Sequence, residues 1–242
     1  MFTNNHIKLD FIDSTNSYVL SLQELGVFKE GLVVTANYQS GGNGQRGKVW
    51  ESNTNENLLL SVVIEFRISV SKQFEISKIV SLSICDLLTD LGLNPEIKWP
   101  NDILVSKQKI AGILIQNKLQ GNLIVHSIIG IGLNINQINF KEYSPKATSL
   151  QLLLNKKFDI DKIKIQLLYF LSDRIEKYRQ GQLQHEEYLK SLYLKDQIAA
   201  FEIKGRQIMG IIKEVSQSGK LLIQLEDDKI AEFENQTIKY LF

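Results

Sequence analysis

The chain has 242 residues, of which 43% are hydrophobic, and its 28 lysines and arginines are balanced by 27 aspartates and glutamates. A chain of this length forms one sizeable core, or one core with a small additional unit. The formal charge of +1 gives no basic excess for nucleic-acid binding, and one cysteine excludes an internal disulfide and a cysteine-cluster metal site. With no signal peptide and no apolar run of roughly 18 residues, we expect a cytoplasmic protein without membrane or nucleic-acid partners.

The first half of the chain mixes helical and extended patterns. The predicted elements are, in chain order, a helix over 14–25, strands over 31–39 and 57–66, and a helix over 74–91. Ser14 and Thr15 are possible caps of the first helix, and Gly92 is predicted to end the second. Cys85 lies in the apolar pattern of that helix, so a buried, inert thiol is expected.

The second half predicts hairpins, then helices, then a small β unit. Three strands are predicted, at 97–105 (IKW running into DILV), 109–117 and 122–136, with turns at SKQK and LQGN between them. Residues 161–194 predict two amphipathic helices, and the β-rich, glycine-punctuated segment from about Asp196 predicts a small β-barrel. We therefore predict an α+β domain over 1–194, with a mixed, largely antiparallel sheet and flanking helices, and a small β domain over 195–242.

The segment GGNGQRGKVW at 41–50 is a glycine-rich loop that must be compared with several known phosphate-binding motifs. Gly42, Gly44 and Gly47 match G-x-G-x-x-G, but a strand rather than a helix follows, which argues against a dinucleotide fingerprint. The G-K-[S/T] of a Walker A loop and the H-R-D and D-F-G of a protein kinase are absent. The alternatives are an ordinary hairpin loop and a loop whose backbone approaches an anionic ligand, with Arg46 and Lys48 adding charge.

The segment KWPNDILVSKQKIAGILIQ at 98–116 favours the second alternative. It brings Lys98, Asn101, Asp102 and Lys109 into two neighbouring strands, and a hairpin would return Lys109 to the vicinity of Asp102. A carboxylate beside two lysines, close to a glycine loop, suits an ATP-using enzyme; the alternative is a surface salt bridge. Pro100 stiffens the stretch that aims Lys98 and Asp102.

Together these segments closely resemble the biotin protein ligases. The parallels are IDSTN at 12–16, YQSGGNGQRGKVW at 38–50, KWPNDI at 98–103, KIAGIL at 109–114, GIGLNIN at 130–136 and the β-rich tail. The resemblance implies the catalytic fold shared by biotin and lipoate ligases, which is similar to that of class II aminoacyl-tRNA synthetases, with a small SH3-like barrel at 195–242. Because the chain begins directly at the catalytic segments, it resembles the monofunctional class, without a DNA-binding domain.

The resemblance also implies a two-step reaction. Biotin and ATP form biotinyl-5′-AMP, and a lysine of a biotin carboxyl carrier domain then takes the biotinyl group. Mg²⁺ is expected from the ATP chemistry rather than from a ligand motif: the three histidines are scattered, and Asp102 is the candidate contact through Mg·ATP. The alternatives are a lipoate or octanoate ligase of the same superfamily and a catalytically weak biotin-binding protein. Monomer and homodimer both remain open.

The site residues follow from the family's motif positions. The implied catalytic residues are Lys109, Asp102, Lys98 and Arg46. The implied biotin-binding residues are Ser14, Thr15, Asn16, Gln39, Gly41, Gly42, Gly44, Lys109, Gly112, Leu114, Gly130 and Gly132. The implied nucleotide-binding residues are Gln45, Arg46, Gly47, Trp50, Asn101 and Asn134.

The glycine loop departs from the family pattern, which is G-R-G-R-x-G. Asn43 and Gln45 stand where the two arginines are usual, which leaves Arg46 and Lys48 as the cations of the loop. The family's loop arginines help to hold the adenylate. We therefore expect weaker retention of the intermediate, with partial compensation by Arg46.

Overall fold

Two β-sheets organise the chain, and helices cover the larger one. The structure is a computed structural model that describes residues 1–2, 5–23, 27–47 and 49–242, and for Arg46 the backbone alone. The strands are β1 (His6–Ile12), β2 (Val33–Gln39), β3 (Asn57–Ser69), β4 (Pro95–Lys98), β5 (Asp102–Val105), β6 (Gln108–Gln120), β7 (Leu123–Asn134), β8 (Ile198–Ile203), β9 (Arg206–Val215), β10 (Leu221–Leu225), β11 (Ile230–Phe233) and β12 (Lys239–Tyr240). The helices are α1 (Thr15–Ser21), α2 (Phe74–Asp90), α3 (Leu150–Leu154), α4 (Ile160–Arg179) and α5 (His185–Lys190).

The larger sheet has seven strands in the order β1-β2-β3-β7-β6-β5-β4. β1 and β2 run parallel, and the other neighbouring pairs run antiparallel. The second sheet is antiparallel and has five strands in the order β11-β10-β9-β8-β12. The prediction of an α+β fold with a mixed, largely antiparallel sheet is confirmed.

Each face of the larger sheet packs against different helices. Successive side chains of a strand point to opposite faces. Val33 and Val62 accordingly lie in the main core with α2 and α4, whereas their neighbours Val34 and Val63 pack with Val19 of α1. The face covered by α1 is the one on which a large cavity opens.

The turns follow the predicted chemistry. In the β5–β6 hairpin, Ser106 and Lys107 have φ of 51° and 63°, as a two-residue type I′ turn requires. Gly121, at φ 58°, lies in the β6–β7 turn, and Gly92, at φ 84°, follows the end of α2. The predicted turns and the predicted stop of α2 are confirmed, and Cys85 is buried as expected.

The predicted strand over 97–105 is wrong, because the chain reverses direction within it. β4 and β5 are antiparallel partners, with Lys98 opposite Asp102 and a turn at 99–101. Pro100 has no N–H to donate to a ladder, so a strand interior is an unfavourable place for it, whereas a turn accepts it. This reversal brings Lys98 and Asp102 face to face.

Two further boundaries differ from the predictions, and two elements were not predicted. α1 ends at Ser21 rather than near 25, and 24–26 lie outside the described residues. α5 ends at Lys190 rather than at 194, because Leu192 instead bridges to Ile97 of β4. β1 and α3 were not predicted at all.

The second sheet packs against the first. Phe201, Ile212 and Ile223 belong to the same core cluster as α2 and the larger sheet. Trp99 Nε1 donates to Gly219 O at 2.9 Å across the contact. The division into domains at 194/195 stays a prediction. Within the described residues, no helix combines the length and apolarity that crossing a membrane requires.

Candidate active site

A cavity of about 810 Å³ opens on the α1 face of the larger sheet. Strand register brings its key positions into one cross-sheet row, since residues paired on neighbouring strands share a face. That row runs Lys98, Asp102, Gly112, Gly132 and Leu59, and all five residues line the cavity. The volume is within the range of pockets that bind ligands of drug size or larger.

The charged centre of the cavity consists of Lys98, Asp102 and Lys109. Lys98 Nζ lies 3.0 Å from Asp102 Oδ2, and Lys109 Nζ lies 2.6 Å from Asp102 Oδ1. The predicted return of Lys109 to Asp102 is therefore confirmed. The Lys109 backbone is fixed by the segment 146–148, because its N–H donates to Lys146 O and its carbonyl accepts from Thr148 N.

Asp102 is held in its ionised form. Burial raises the pKa of this carboxyl, but the charges of Lys109 and Lys98 and their hydrogen bonds outweigh burial and hold the pKa below its usual range. Both carboxylate oxygens are occupied by ammonium groups, so Asp102 suits the positioning of two cations better than the acceptance of a proton. The three groups together carry a net charge of about +1 at neutral pH, which suits an anionic ligand.

A polar network lies where α1 meets β2 and β3. Gln39 Oε1 accepts from Thr15 N at 2.7 Å and from Thr15 Oγ1 at 3.0 Å. Ser61 Oγ lies 2.7 Å from Thr15 Oγ1 and 2.6 Å from Asn16 Oδ1. Among the described residues, this leaves the Gln39 amide N–H groups and the Ser14 hydroxyl proton for a ligand. Ser14 also caps α1, so both of its predicted roles are compatible with its position.

Asn16 is held in place by three hydrogen bonds to the protein. Its Nδ2 donates to Leu114 O at 3.3 Å and to Gln116 Oε1 at 3.0 Å, while its Oδ1 accepts from Ser61. A Cβ at Gly130 would lie 2.5 Å from Asn16 Oδ1. Gly130 therefore makes room for Asn16, which is a reason for the glycine that does not depend on a ligand.

Trp50 lies over the floor of the cavity. A Cβ at Gly132 would lie 2.4 Å from Trp50 Cε2, and one at Gly112 would lie 2.9 Å from Trp50 Cζ3. Lys109 Nζ lies 5.4 Å from the centroid of the Trp50 ring, within cation–π range. Trp50 Nε1 is buried without a hydrogen-bond partner among the described residues, so it is a donor that an acceptor on a ligand can satisfy.

Gly132→Ala is expected to displace Trp50, because the new Cβ and Trp50 Cε2 cannot lie 2.4 Å apart. We expect a shift in tryptophan emission and a loss of about tenfold or more in ligand affinity, the scale of a packing error of 1–3 kcal/mol. The control is a double-mutant cycle with Trp50→Ala, in which the alanine at 132 should cost almost nothing. An equal loss in both backgrounds would show that Gly132 acts independently of Trp50.

The opposite end of the cavity carries Asn134. Asn134 Nδ2 donates to Thr148 O at 2.9 Å, and its buried Oδ1 has no partner among the described residues. This oxygen is therefore an acceptor suited to a ligand N–H. Two other lining residues form a hydrogen bond in which the Tyr143 hydroxyl donates to Glu51, and this bond raises the pKa of the phenol to about 12.

The two ends of the glycine loop are hydrogen-bonded to each other, and the loop also contacts the segment between β11 and β12. Trp50 N donates to Gly42 O at 2.8 Å, and Asn43 bridges Val49. Asn235 Nδ2 donates to Gln45 Oε1 at 2.6 Å. The side chain of Arg46 and the whole of Lys48 lie outside the described residues, so the role predicted for Arg46 stays a prediction.

Some of the remaining predicted site residues line the cavity, and others do not. Gly44, Gln45, Asn101 and Leu114 line it. Gly41, Gly42 and Gly47 belong to the loop but not to the lining, and a Cβ at Gly42 would lie 2.6 Å from Trp50 O. The assignment of binding roles to these positions stays a prediction.

Several lining residues were not found from the sequence. They are Glu51, Phe140, Tyr143, Pro145, Asn235, Gln236, Lys239, Tyr240 and Phe242. Most come from the loop after β7 or from the second sheet, and long-range packing brings them to the cavity. The aromatic density of KYLF at 239–242 was the available signal.

The charged centre does not fit a metal site held by the protein. Both oxygens of Asp102 are paired with lysines. Within the described ranges, no group of three or more histidine, cysteine, aspartate or glutamate side chains is placed to hold a metal ion.

Comparison with known proteins gives a consistent result. The chain is 28% identical over 219 residues to the biotin--[acetyl-CoA-carboxylase] ligase of Mycobacterium tuberculosis, covering 88% of this chain and 80% of that protein. Its fold matches a biotin protein ligase from Aquifex aeolicus solved with biotin and ATP, with a TM-score of 0.80, 23% identity, and coverage of 99% and 100% of the two chains. It also matches the Leishmania major enzyme solved with biotinyl-5-AMP, with a TM-score of 0.64, 20% identity, and coverage of 96% and 99%. The profile of the biotin/lipoate A/B protein ligase family matches residues 9–134, and the chain belongs to that family.

Proposed function

We propose that this protein joins biotin to a specific lysine of a biotin carboxyl carrier domain, in an ATP-dependent reaction that passes through biotinyl-5′-AMP. The single observation that carries the proposal is the cavity itself. It holds two lysines on one carboxylate at its centre, a buried polar network beside α1, and at Asn134 an amide acceptor that has no partner among the described residues. The Mycobacterium tuberculosis relative, named for acetyl-CoA carboxylase, supports a carboxylase carrier as the partner.

In the first step, a carboxylate oxygen of biotin attacks the α-phosphorus of ATP. The bond from that phosphorus to the bridging oxygen of the β-phosphate breaks, and pyrophosphate leaves with the electron pair. Negative charge accumulates around the α-phosphate, so fixed cations stabilise the transition state. Lys109 is the proposed principal cation, because its side chain is 29% exposed to the cavity while that of Lys98 is 15% exposed.

In the second step, the neutral ε-amine of the acceptor lysine attacks the acyl carbon, the bond to the AMP oxygen breaks, and AMP leaves. The attacking nitrogen loses its proton to water or to the departing phosphate. Two roles are open to Asp102 in this step: to orient the incoming lysine or to receive its proton. Its lowered pKa and its two lysine partners support a positioning role, since an acid of that strength is a poor proton acceptor at neutral pH.

Biotin is favoured over lipoate by the polar network near α1. The ureido group of biotin has one acceptor and two donors, and burying them requires hydrogen-bond partners. The free Gln39 amide N–H groups and the Ser14 hydroxyl can donate to the ureido carbonyl, and Ser61 and Asn16 hold the network in place. The dithiolane ring of lipoate has no polar group for these partners to satisfy.

The direct test is the intact mass of a biotin carboxyl carrier domain after incubation with the protein, biotin and Mg·ATP. We expect an ATP-dependent gain of one biotinyl group on a single lysine. Parallel samples omit ATP, replace biotin with lipoate, or use a carrier whose acceptor lysine is changed to arginine.

Each alternative outcome has a distinct meaning. Transfer of lipoate but not of biotin would assign the protein to the lipoate-ligase branch of the family. Binding of biotin without any ATP-dependent transfer would leave a biotin-binding protein, and would make Asn43 and Gln45 the first positions to restore to arginine.

A further inference from the structure

The ammonium group of Lys98 lies near two aromatic rings, one from β12 and one from the residues that follow it. Its Nζ lies 5.3 Å from the ring centroid of Tyr240 and 6.0 Å from that of Phe242. On its other side it is 3.0 Å from Asp102 Oδ2. Both ring distances are within the range of cation–π attraction, which strengthens as water is excluded.

Other aromatic residues fix these two rings. Tyr193 stacks on Phe242 with centroids 6.0 Å apart and planes 10° apart, and Tyr240 lies 6.5 Å from Phe242. Phe201 of β8 packs edge-on against Tyr240 at 5.4 Å. We call Tyr193, Tyr240 and Phe242 the aromatic clamp.

Two of the three residues of the aromatic clamp are anchored to strands. Tyr193 N donates to Ile97 O at 2.9 Å, which ties the clamp to β4 directly beside Lys98. Tyr240 belongs to β12, where it pairs with Phe201 of β8. Its hydroxyl is buried without a hydrogen-bond partner among the described residues, so the ring rather than the hydroxyl is the part of Tyr240 that faces a partner.

We propose that Tyr240 and Phe242 are positioning residues that hold Lys98 against Asp102, so that Lys109, which is also paired with Asp102 but is more exposed, is the ammonium that meets the ligand. Two lysines share one carboxylate, and the difference between their surroundings assigns them different tasks. Lys98 has carboxylate on one side and aromatic faces on the other, whereas Lys109 has carboxylate, one tryptophan ring and the open cavity. The idea deepens the proposed function and, for its catalytic consequence, rests on it.

The placement itself is testable without any activity measurement. Protein labelled with ¹³Cε-lysine gives an NMR signal for Lys98 that is assigned by its loss in Lys98→Arg. We expect the Lys98 ε-protons to be shifted upfield by the ring currents, and to move toward the ordinary lysine position in Tyr240→Leu and in Phe242→Leu. Phe242→Tyr keeps a ring at the same place and should keep the shift.

The catalytic arm uses the same variants. We expect Tyr240→Leu to lower kcat by about three- to tenfold, the scale of one largely buried cation–π contact. We expect Phe242→Leu to lower kcat by about two- to fivefold, because Phe242 is 53% exposed. KM for ATP should change less than twofold in both variants. Phe242→Tyr should recover most of the rate. Tyr169→Leu is the matched control, because Tyr169 is 68% exposed on α4 and contributes no lining to the cavity.

The two arms separate the inference from the function on which it rests. An ordinary ε-proton shift for Lys98 in the wild type, or one that neither leucine variant changes, would overturn the clamp. An upfield-shifted Lys98 signal in a protein without ligase activity would refute the proposed function alone. An upfield-shifted Lys98 signal in the wild type, together with full activity in both leucine variants, would overturn the positioning role.

Discussion

Lys109→Gln is expected to lower kcat for adenylate formation by about 10²–10³-fold, the usual loss when one preorganised charge-stabilising donor is removed. Lys109 presents its ammonium to the cavity from a backbone that is bonded to the segment 146–148, so its position is fixed before a ligand arrives. Glutamine keeps much of the length and polarity of the side chain but removes the charge. The measurement is single-turnover formation of biotinyl-5′-AMP from labelled ATP.

The matched control is Lys107→Gln. Lys107 lies in the turn of the same hairpin, is exposed, and is absent from the lining of the cavity. The two variants therefore change the net charge of the same hairpin equally, and only one of them touches Asp102. A rate for Lys109→Gln within threefold of wild type would remove Lys109 from the proposed centre.

Asp102→Asn is expected to slow transfer from the preformed adenylate by about 10²-fold, the scale of a misplaced catalytic group. The neutral amide no longer compensates two ammonium groups, so Lys98 and Lys109 should separate. Removal of one partner from a largely buried pair also costs stability, so a lower Tm should accompany the slower rate. Asp227→Asn removes the carboxylate of an exposed pair with Lys229 and should change neither quantity.

The pH dependence of the Asp102→Asn defect distinguishes positioning from proton acceptance. An acceptor lysine becomes increasingly neutral as pH approaches its pKa of about 10.4, so it needs a proton acceptor less at pH 9.5 than at pH 7. If Asp102 positions the two lysines, the ratio of wild-type to variant rates stays constant over that interval. A ratio that shrinks markedly as pH rises would instead identify Asp102 as the acceptor.

The lowered pKa of Asp102 also fixes the sign of its contribution to stability. A carboxyl whose pKa is lower in the folded state stabilises the fold fully above its unfolded pKa of about 3.9. That contribution is lost as pH falls through the folded pKa. The Tm difference between wild type and Asp102→Asn should therefore be constant near neutral pH and should shrink below about pH 4.

The charged centre was predictable because it depends on local chain geometry. Lys98, Asp102 and Lys109 lie within twelve residues, and a tight hairpin at Ser106 and Lys107 suffices to bring them together. The reversal at Pro100 was misjudged as a continuous strand, yet the chemical prediction survived, because an antiparallel β4–β5 pair brings Lys98 to Asp102 directly. The sequence also carried an overlooked signal for β1, in which Ile7 and Leu9 alternate with polar residues.

The walls of the cavity were not predictable, because they depend on register and on long-range packing. The resemblance implied biotin-binding roles for Gly112 and Gly132, and both glycines line the cavity, but the packing of Trp50 against them could not be predicted. That outcome depends on which residues of β6 and β7 are opposite each other. Tyr240 and Phe242 reach Lys98 only because the second sheet packs against the first, and no local pattern encodes that packing.

The most direct measurement of the central claim is biotin-dependent exchange of labelled pyrophosphate into ATP, which follows the first step in reverse and needs no acceptor protein. The account predicts exchange that requires biotin, is not supported by lipoate, and falls by about 10²-fold or more in Lys109→Gln. Folded wild-type protein that binds both biotin and ATP but catalyses no exchange would contradict it.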